Sequence, residues 1–155
     1  MDFRFATIND VDKILEFIKE LAEYEKMSAD VVADTDLLRK WIFEENKAEV
    51  IFALEDEKEV GFALFFHNFS TFLGRSGLYL EDLFVKPQYR GKGYGKGLLK
   101  ELARIAVERD CGRFEWVCLD WNKPSIDLYL SLGAEPQDEW TIYRMSGKAL
   151  QDFSK

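Results

Sequence analysis

The sequence predicts an α/β (α+β) fold: a mixed, mostly antiparallel central sheet flanked by helices, in the order β-α-α-β-β-β-α-β-α-β. Three observations carry this. Apolar residues recur at helical spacing after Asn9, after Thr35, after Gly93 and after Asn122. Runs of strand length, apolar or alternating, lie between them. A glycine-rich stretch, QYRGKGYGKGLLK from Gln88 to Lys100, joins one such run to a helical segment.

In chain order, Phe3–Ile8 alternates like a first strand. Asn9 then offers an N-cap, with Asp12 three residues on, and Val11, Ile14, Leu15, Ile18, Leu21 and Ala22 mark a helix to about Lys26. Thr35–Asn46 reads as a second helix with Leu37, Leu38, Trp41 and Ile42 on its apolar side. Ala48–Leu54 and Val60–Phe69 form a hairpin around EDEKE. Leu78–Val85 (LYLEDLFV) is the next strand, and Pro87 stops it. A helix through Leu98, Leu99, Leu102, Ile105 and Ala106 follows the glycines and ends at Cys111–Gly112. Phe114–Leu119 is a strand, Asn122–Leu132 a short helix closed by Gly133, and Trp140–Met145 a last strand.

A chain of 155 residues with 47% hydrophobic content is expected to form one domain, 1–155, with a substantial core. The formal net charge of -8 argues against nucleic acid or an anionic membrane as partner and suits a small cationic one. Two cysteines, Cys111 and Cys118, and a single histidine, His67, give no metal-ligand spacing, so no metal is expected. No secretory segment and no apolar stretch of membrane-spanning length is evident, which reads as a cytoplasmic protein.

The glycines set the chemistry. A loop between a strand and a helix presents backbone N–H groups at the positive end of the helix dipole, and glycine lets the backbone approach an anion closely. From Val85 to Lys100 the chain carries Lys86, Arg90, Lys92, Lys96 and Lys100 and no acidic residue, against the sign of the whole. That favours a polyanion site. The Walker A spacing fails, because no glycine lies five residues before Gly95. The G-x-G-x-x-G spacing fails from Gly91 at Lys96 and from Gly93 at Leu98.

The pattern [QR]-x-x-G-x-[GA] does fit, as Arg90-Gly91-Lys92-Gly93-Tyr94-Gly95. It follows LEDLFV, opens a helix, and precedes WNKPSIDLYLSLGA (Trp121–Ala134) by about thirty residues. Together these resemble the GNAT family of acetyl-CoA-dependent N-acetyltransferases. ELAEYEKM (Glu20–Met27), STFLGR (Ser70–Arg75), YLEDLFV (Tyr79–Val85) and LDWN (Leu119–Asn122) are similar to the spermidine/spermine acetyltransferase branch, and most similar to its thialysine N-epsilon-acetyltransferases.

The resemblance implies the GNAT fold and a set of roles. The amides of Gly91, Lys92, Gly93, Tyr94, Gly95 and Lys96, with Arg90, would bind the pyrophosphate of acetyl-CoA. Leu83, Phe84 and Val85 would pair with the pantetheine arm in a gap between splayed strands, with a backbone N–H near Phe84 polarising the acetyl carbonyl. Asn122, Lys123, Pro124 and Ser125 match a second cofactor-contacting segment. Tyr129 matches the general acid. Tyr24, Glu25, Glu81 and Asp82 fall in or beside the amine site, with Glu81 as base.

The residues alone leave alternatives open. Glu81 and Asp82 are consecutive in a strand, so only one readily faces the acetyl group. Tyr129 shares a helix face with Asn122 and Ser125, which suits either a core ring or a catalytic hydroxyl. Tyr24 and Glu25 also read as exposed residues at a helix end. By the same resemblance, Ser70 stands where polyamine-acetylating members carry an acidic residue, which leaves short diamines, thialysine-like amino acids or an unrelated amine, and Phe72 stands where a Trp is common, which would reshape the same wall. The expected activity is acetyl transfer to a primary amine of a small cationic substrate by a homodimer. Acetylation of protein lysines or N-termini, or acyl-CoA binding without catalysis, is the alternative.

Overall fold

The computed structural model describes residues 1–155 as two units, Met1–Val117 and Cys118–Lys155. The first holds a five-stranded sheet of β1 (Asp2–Phe5), β2 (Glu49–Glu55), β3 (Lys58–Ser70), β4 (Arg75–Val85) and β5 (Phe114–Trp116), paired in that order. The pairs are antiparallel except β4 with β5, which is parallel.

Helix α1 (Val11–Tyr24) packs its apolar stripe on one face of the sheet. Ile14, Phe17 and Leu21 meet Val50, Phe52, Phe62 and Phe84 there, and the Phe17 and Phe62 rings stack at 5.0 Å. Burial of each such side chain stabilises by about 1.5–3 kcal/mol, so this cluster fixes α1 on the sheet. Helix α3 (Tyr94–Glu108) covers β2, β3 and β4 through buried Leu98, Leu99, Leu102, Ile105 and Ala106.

Several elements differ from the sequence reading. Asn9 does not cap α1: a 3₁₀ turn at Ile8–Asp10 precedes it, and the Asp10 carboxylate accepts from Thr7 N–H at 2.7 Å. The second helix is α only over Thr35–Leu38 (α2), then π-helical over Arg39–Glu44, where Glu45 N–H reaches Lys40 C=O. Strand β5 stops at Trp116, three residues short of the expected end.

The second unit contains α4 (Lys123–Ser131) and α5 (Gly147–Phe153), the latter not read from the sequence. Gly133, at φ +92°, closes α4 as expected, with Ala134 N–H bonded to Tyr129 C=O. The last strand is absent. Trp140–Met145 alternates as a strand does, but this unit offers no strand for it to pair with, and Trp140, Ile142 and Tyr143 are exposed. Strand propensity expresses itself only against a partner.

Candidate active site

A bulge in β4 organises the site. Leu64 pairs with Asp82 and Phe65 with Leu80, so Glu81 has no place in the register. On the edge of β4 away from β3, β5 has already ended: its parallel pairing covers only Leu78–Leu80. Residues 81–85 therefore have a sheet neighbour on the β3 side alone. This is the gap expected between splayed strands.

The register decides which backbone groups face that gap. Lys86 N–H bonds to Val60 C=O on β3 at 2.9 Å. Antiparallel pairs alternate between mutually bonded and outward-facing ones. Phe84 is thus turned toward Phe62, while the N–H and C=O of Leu83 and Val85 face the free edge. The donors flank Phe84 rather than coinciding with it. The bulge sets this phase, since a sheet without it would turn Asp82 and Phe84 outward instead.

The bulge also sorts the two carboxylates. Glu81 is exposed, whereas Asp82 is half-buried on the α1 side with Phe84. Burial first, then the charges of Glu81 and Glu25, push the Asp82 carboxyl up to about 6. Burial raises Glu25 as well. The Tyr24 ring meets the Phe84 ring edge-on at 6.3 Å. The structure thus brings Tyr24, Glu25, Asp82 and Phe84 together at the end of α1, with Glu81 at its margin.

In the glycine loop, Gly91 and Gly93 adopt φ of +78° and +90°, which other residues reach only with strain. No atom lies within 4 Å of a Cβ built on Gly91, so that position is open. The first bond of the α3 ladder runs from Gly97 N–H to Gly93 C=O, so the amides of Tyr94, Gly95 and Lys96 have no intrahelical acceptor. These features fit an anion cradle. Gly97 lies away from this cradle: a Cβ there would push aside the end of the exposed Met1 side chain and sit 3.4 Å from Phe3.

Three of the loop's cations are already engaged. Lys86 pairs with Glu16 and Glu20 of α1 at 3.0 and 3.2 Å. Lys92 pairs with Glu55 of β2 at 3.3 Å, and Tyr94 donates its hydroxyl to the same carboxylate at 2.8 Å. Arg90 donates Nε–H to Val85 C=O at 2.9 Å. Glu55 is a residue that sequence reasoning missed, because it sits at the EDEKE turn and looks like a solvated charge.

Ser70 and Phe72 lie in the β3–β4 turn region. Ser70 is buried, and its hydroxyl accepts from Leu73 N–H at 3.2 Å within the β3–β4 turn. Phe72 is fully exposed. In the second unit, Asn122 caps α4 by accepting from Ser125 N–H at 3.4 Å, and Pro124 lies in the first turn, where a missing N–H is harmless. Lys123 pairs with Asp127. Tyr129 is half-buried on the Asn122 and Ser125 face of α4.

The Acetyltransferase (GNAT) family model matches residues 11–134. The thialysine N-epsilon-acetyltransferase of Sus scrofa is 39% identical over 163 aligned positions, covering 97% of this chain and 95% of its own. The L-ornithine N5-acetyltransferase of Arabidopsis thaliana is 44% identical over 102 positions, covering 66% of this chain and 45% of its own. Among solved structures, an integron cassette protein from the V. cholerae mobile metagenome superposes with a TM-score of 0.82 at 31% identity, covering 99% of this chain and 97% of that one. With the family model spanning most of the sequence and near-full-length relatives of this similarity, the chain belongs to the GNAT family of N-acetyltransferases.

Proposed function

We propose that the protein transfers the acetyl group of acetyl-CoA to a primary amine of a small diamine or diamino acid, in the class of thialysine or ornithine. The observation that carries this is the juxtaposition, along one stretch of β4, of a free backbone edge at Leu83 and Val85 with a carboxylate cluster of Asp82, Glu25 and Glu81. The edge suits a pantetheine arm. The cluster suits a cation. Relatives named for thialysine and ornithine acetylation support the substrate class.

Acetyl-CoA supplies an activated acyl thioester. The residues of this chain do the rest. The glycine loop holds the pyrophosphate on the amides of residues 91–96, and Asn122–Ser125 form the second cofactor segment. An amine with a pKa near 10.4 is almost wholly protonated at pH 7 and must lose a proton before it can attack. We assign that proton to Asp82, with Glu81 beside it, because a carboxylate raised to about 6 accepts a proton better than an ordinary one. This moves the base by one residue from the sequence expectation. As the N–C bond forms and the C–S bond breaks, the thiolate needs a proton, and Tyr129 takes that role by the family resemblance. The Leu83 and Val85 N–H groups are the candidate donors to the acetyl oxygen.

We further propose a homodimer, for which the exposed Phe69, Phe72 and Leu73 at the β3–β4 turn are the support. A cytoplasmic location is consistent with Cys111 and Cys118 forming no disulfide. The decisive experiment measures CoA release from acetyl-CoA against monoamines, diamines, diamino acids and lysine peptides. Diamino compounds should be preferred over monoamines of equal length. Preference for peptides would favour protein acetylation, and binding without release would favour a non-catalytic acyl-CoA binder.

A further inference from the structure

Arg90 differs from the other engaged cations of its segment. Lys86 and Lys92 are held by carboxylates, whereas Arg90 forms no ion pair. Its guanidinium is held by one carbonyl and two ring faces. Nε–H donates to Val85 C=O at 2.9 Å, and Cζ lies 4.9 Å from the Tyr24 ring centroid and 5.0 Å from that of Phe84. Val85 C=O is on the free edge of β4. Tyr24 is beside Glu25 at the end of α1. One side chain thus covers both the strand edge and the aromatic wall of the carboxylate cleft.

A guanidinium held only by neutral groups is readily surrendered. Phosphate oxygens accept charge-assisted, bidentate bonds from arginine that are stronger than a bond to a carbonyl. Arg90 is also the residue immediately before Gly91, adjacent in sequence to the loop amides.

We infer that Arg90 is a positioning residue that latches the β4 edge and the Tyr24–Phe84 wall shut until a pyrophosphate at the glycine loop draws its guanidinium away. Productive seating of the thioester arm is thereby coupled to phosphate binding some residues further on. This rests on the N-acetyltransferase reading above.

S-acetylpantetheine, which has the arm and the thioester but no phosphate, separates the latch from the cradle. Arg90→Met keeps the aliphatic stem and removes the guanidinium. Its KM for S-acetylpantetheine should fall by at least roughly tenfold, since one hydrogen bond and two cation–π contacts hold the latch. Its KM for acetyl-CoA should rise, because a phosphate partner is lost. Arg90→Lys should fall between the two for both donors. In the wild type, added ADP should lower the KM for S-acetylpantetheine, which needs no variant to fold. An unchanged or raised KM for S-acetylpantetheine in a natively folded Arg90→Met, or an ADP effect that is absent in the wild type, overturns the latch. Absence of CoA release by the wild type from acetyl-CoA with every amine overturns the N-acetyltransferase reading itself, and the latch with it.

Discussion

Tyr94 and Glu55, 39 residues apart, meet through a 2.8 Å hydrogen bond from phenol to carboxylate. Tyr94 is the first residue of α3 and Glu55 the last of β2, so the bond ties the glycine loop to the sheet. Lys92 reaches the same oxygen at 3.3 Å. Burial and the Glu55 charge push the Tyr94 hydroxyl up to about 12, so the donor stays protonated across the working pH range. Glu55→Ala and Tyr94→Phe should each raise the KM for acetyl-CoA by roughly three- to tenfold, the factor one hydrogen bond is worth, with kcat unchanged. The double variant should be no worse than the poorer single one, because both remove the same tether. Steady-state kinetics with full additivity would show that the two residues act separately.

The glycines at 93 and 97 should fail in different ways. Gly93 has φ +90° in the loop, and Gly93→Val would place a branched side chain on the backbone proposed to approach the pyrophosphate. Its KM for acetyl-CoA should rise at least tenfold, far more than that for the amine. Gly97→Val instead crowds Met1 and Phe3 under α3. It should lower the Tm only slightly, because the exposed Met1 side chain can swing aside, and leave the acetyl-CoA KM near wild type below the transition. A KM effect at Gly97 as large as that at Gly93 would mean the whole glycine run serves the ligand.

Asp82 makes a prediction about pH. Its carboxyl holds a proton more tightly when folded, at about 6, than when unfolded, at about 3.8. A raised carboxylate pKa stabilises the fold while the group is protonated, below about pH 4, and that contribution is lost as pH rises through 6. The loss is at most roughly 3 kcal/mol. Asp82→Asn, neutral at every pH, should therefore melt higher than the wild type at pH 8, with the gap closing toward pH 4.5. The same variant should lose most of its activity if Asp82 takes the amine proton. A melting gap equal at both pH values would show that the charge is not the cause.

The parts legible in the sequence are those fixed by local chemistry. The LYLEDLFV run, Pro87 after it, the glycines and the amphipathic α3 follow from periodicity and backbone freedom, although β4 starts earlier, at Arg75, and α3 takes in Gly95 and Gly97 and stops at Glu108. Asn122 and Gly133 likewise bound α4 by capping. Long-range effects were not legible. The bulge at Glu81 comes from register with β3, and it decides that Asp82, not Glu81, is the half-buried carboxylate. The Ser70 hydroxyl accepts from Leu73 N–H, a turn contact that no local pattern announces. Trp140–Met145 shows how a period-two pattern predicts a strand without supplying the edge that would pair with it.

Tyr129 gives the sharpest test of the chemistry. It sits half-buried in α4, on the face it shares with Asn122 and Ser125. If its hydroxyl protonates the departing thiolate, Tyr129→Phe removes one oxygen and leaves the ring, the helix cap and the glycine loop intact. The fold and the acetyl-CoA KM should be preserved, and kcat should fall roughly a hundredfold or more, the usual contribution of general acid catalysis. The alkaline limb of the pH–rate profile should also change, since the proton donor is gone. A purely structural tyrosine predicts the reverse: a lower Tm from a lost hydrogen bond of about 1 kcal/mol, with kcat nearly intact. A thermal melt and steady-state kinetics on this one variant separate the two patterns. A near wild-type kcat would assign proton delivery to water or another group and remove Tyr129 from the mechanism.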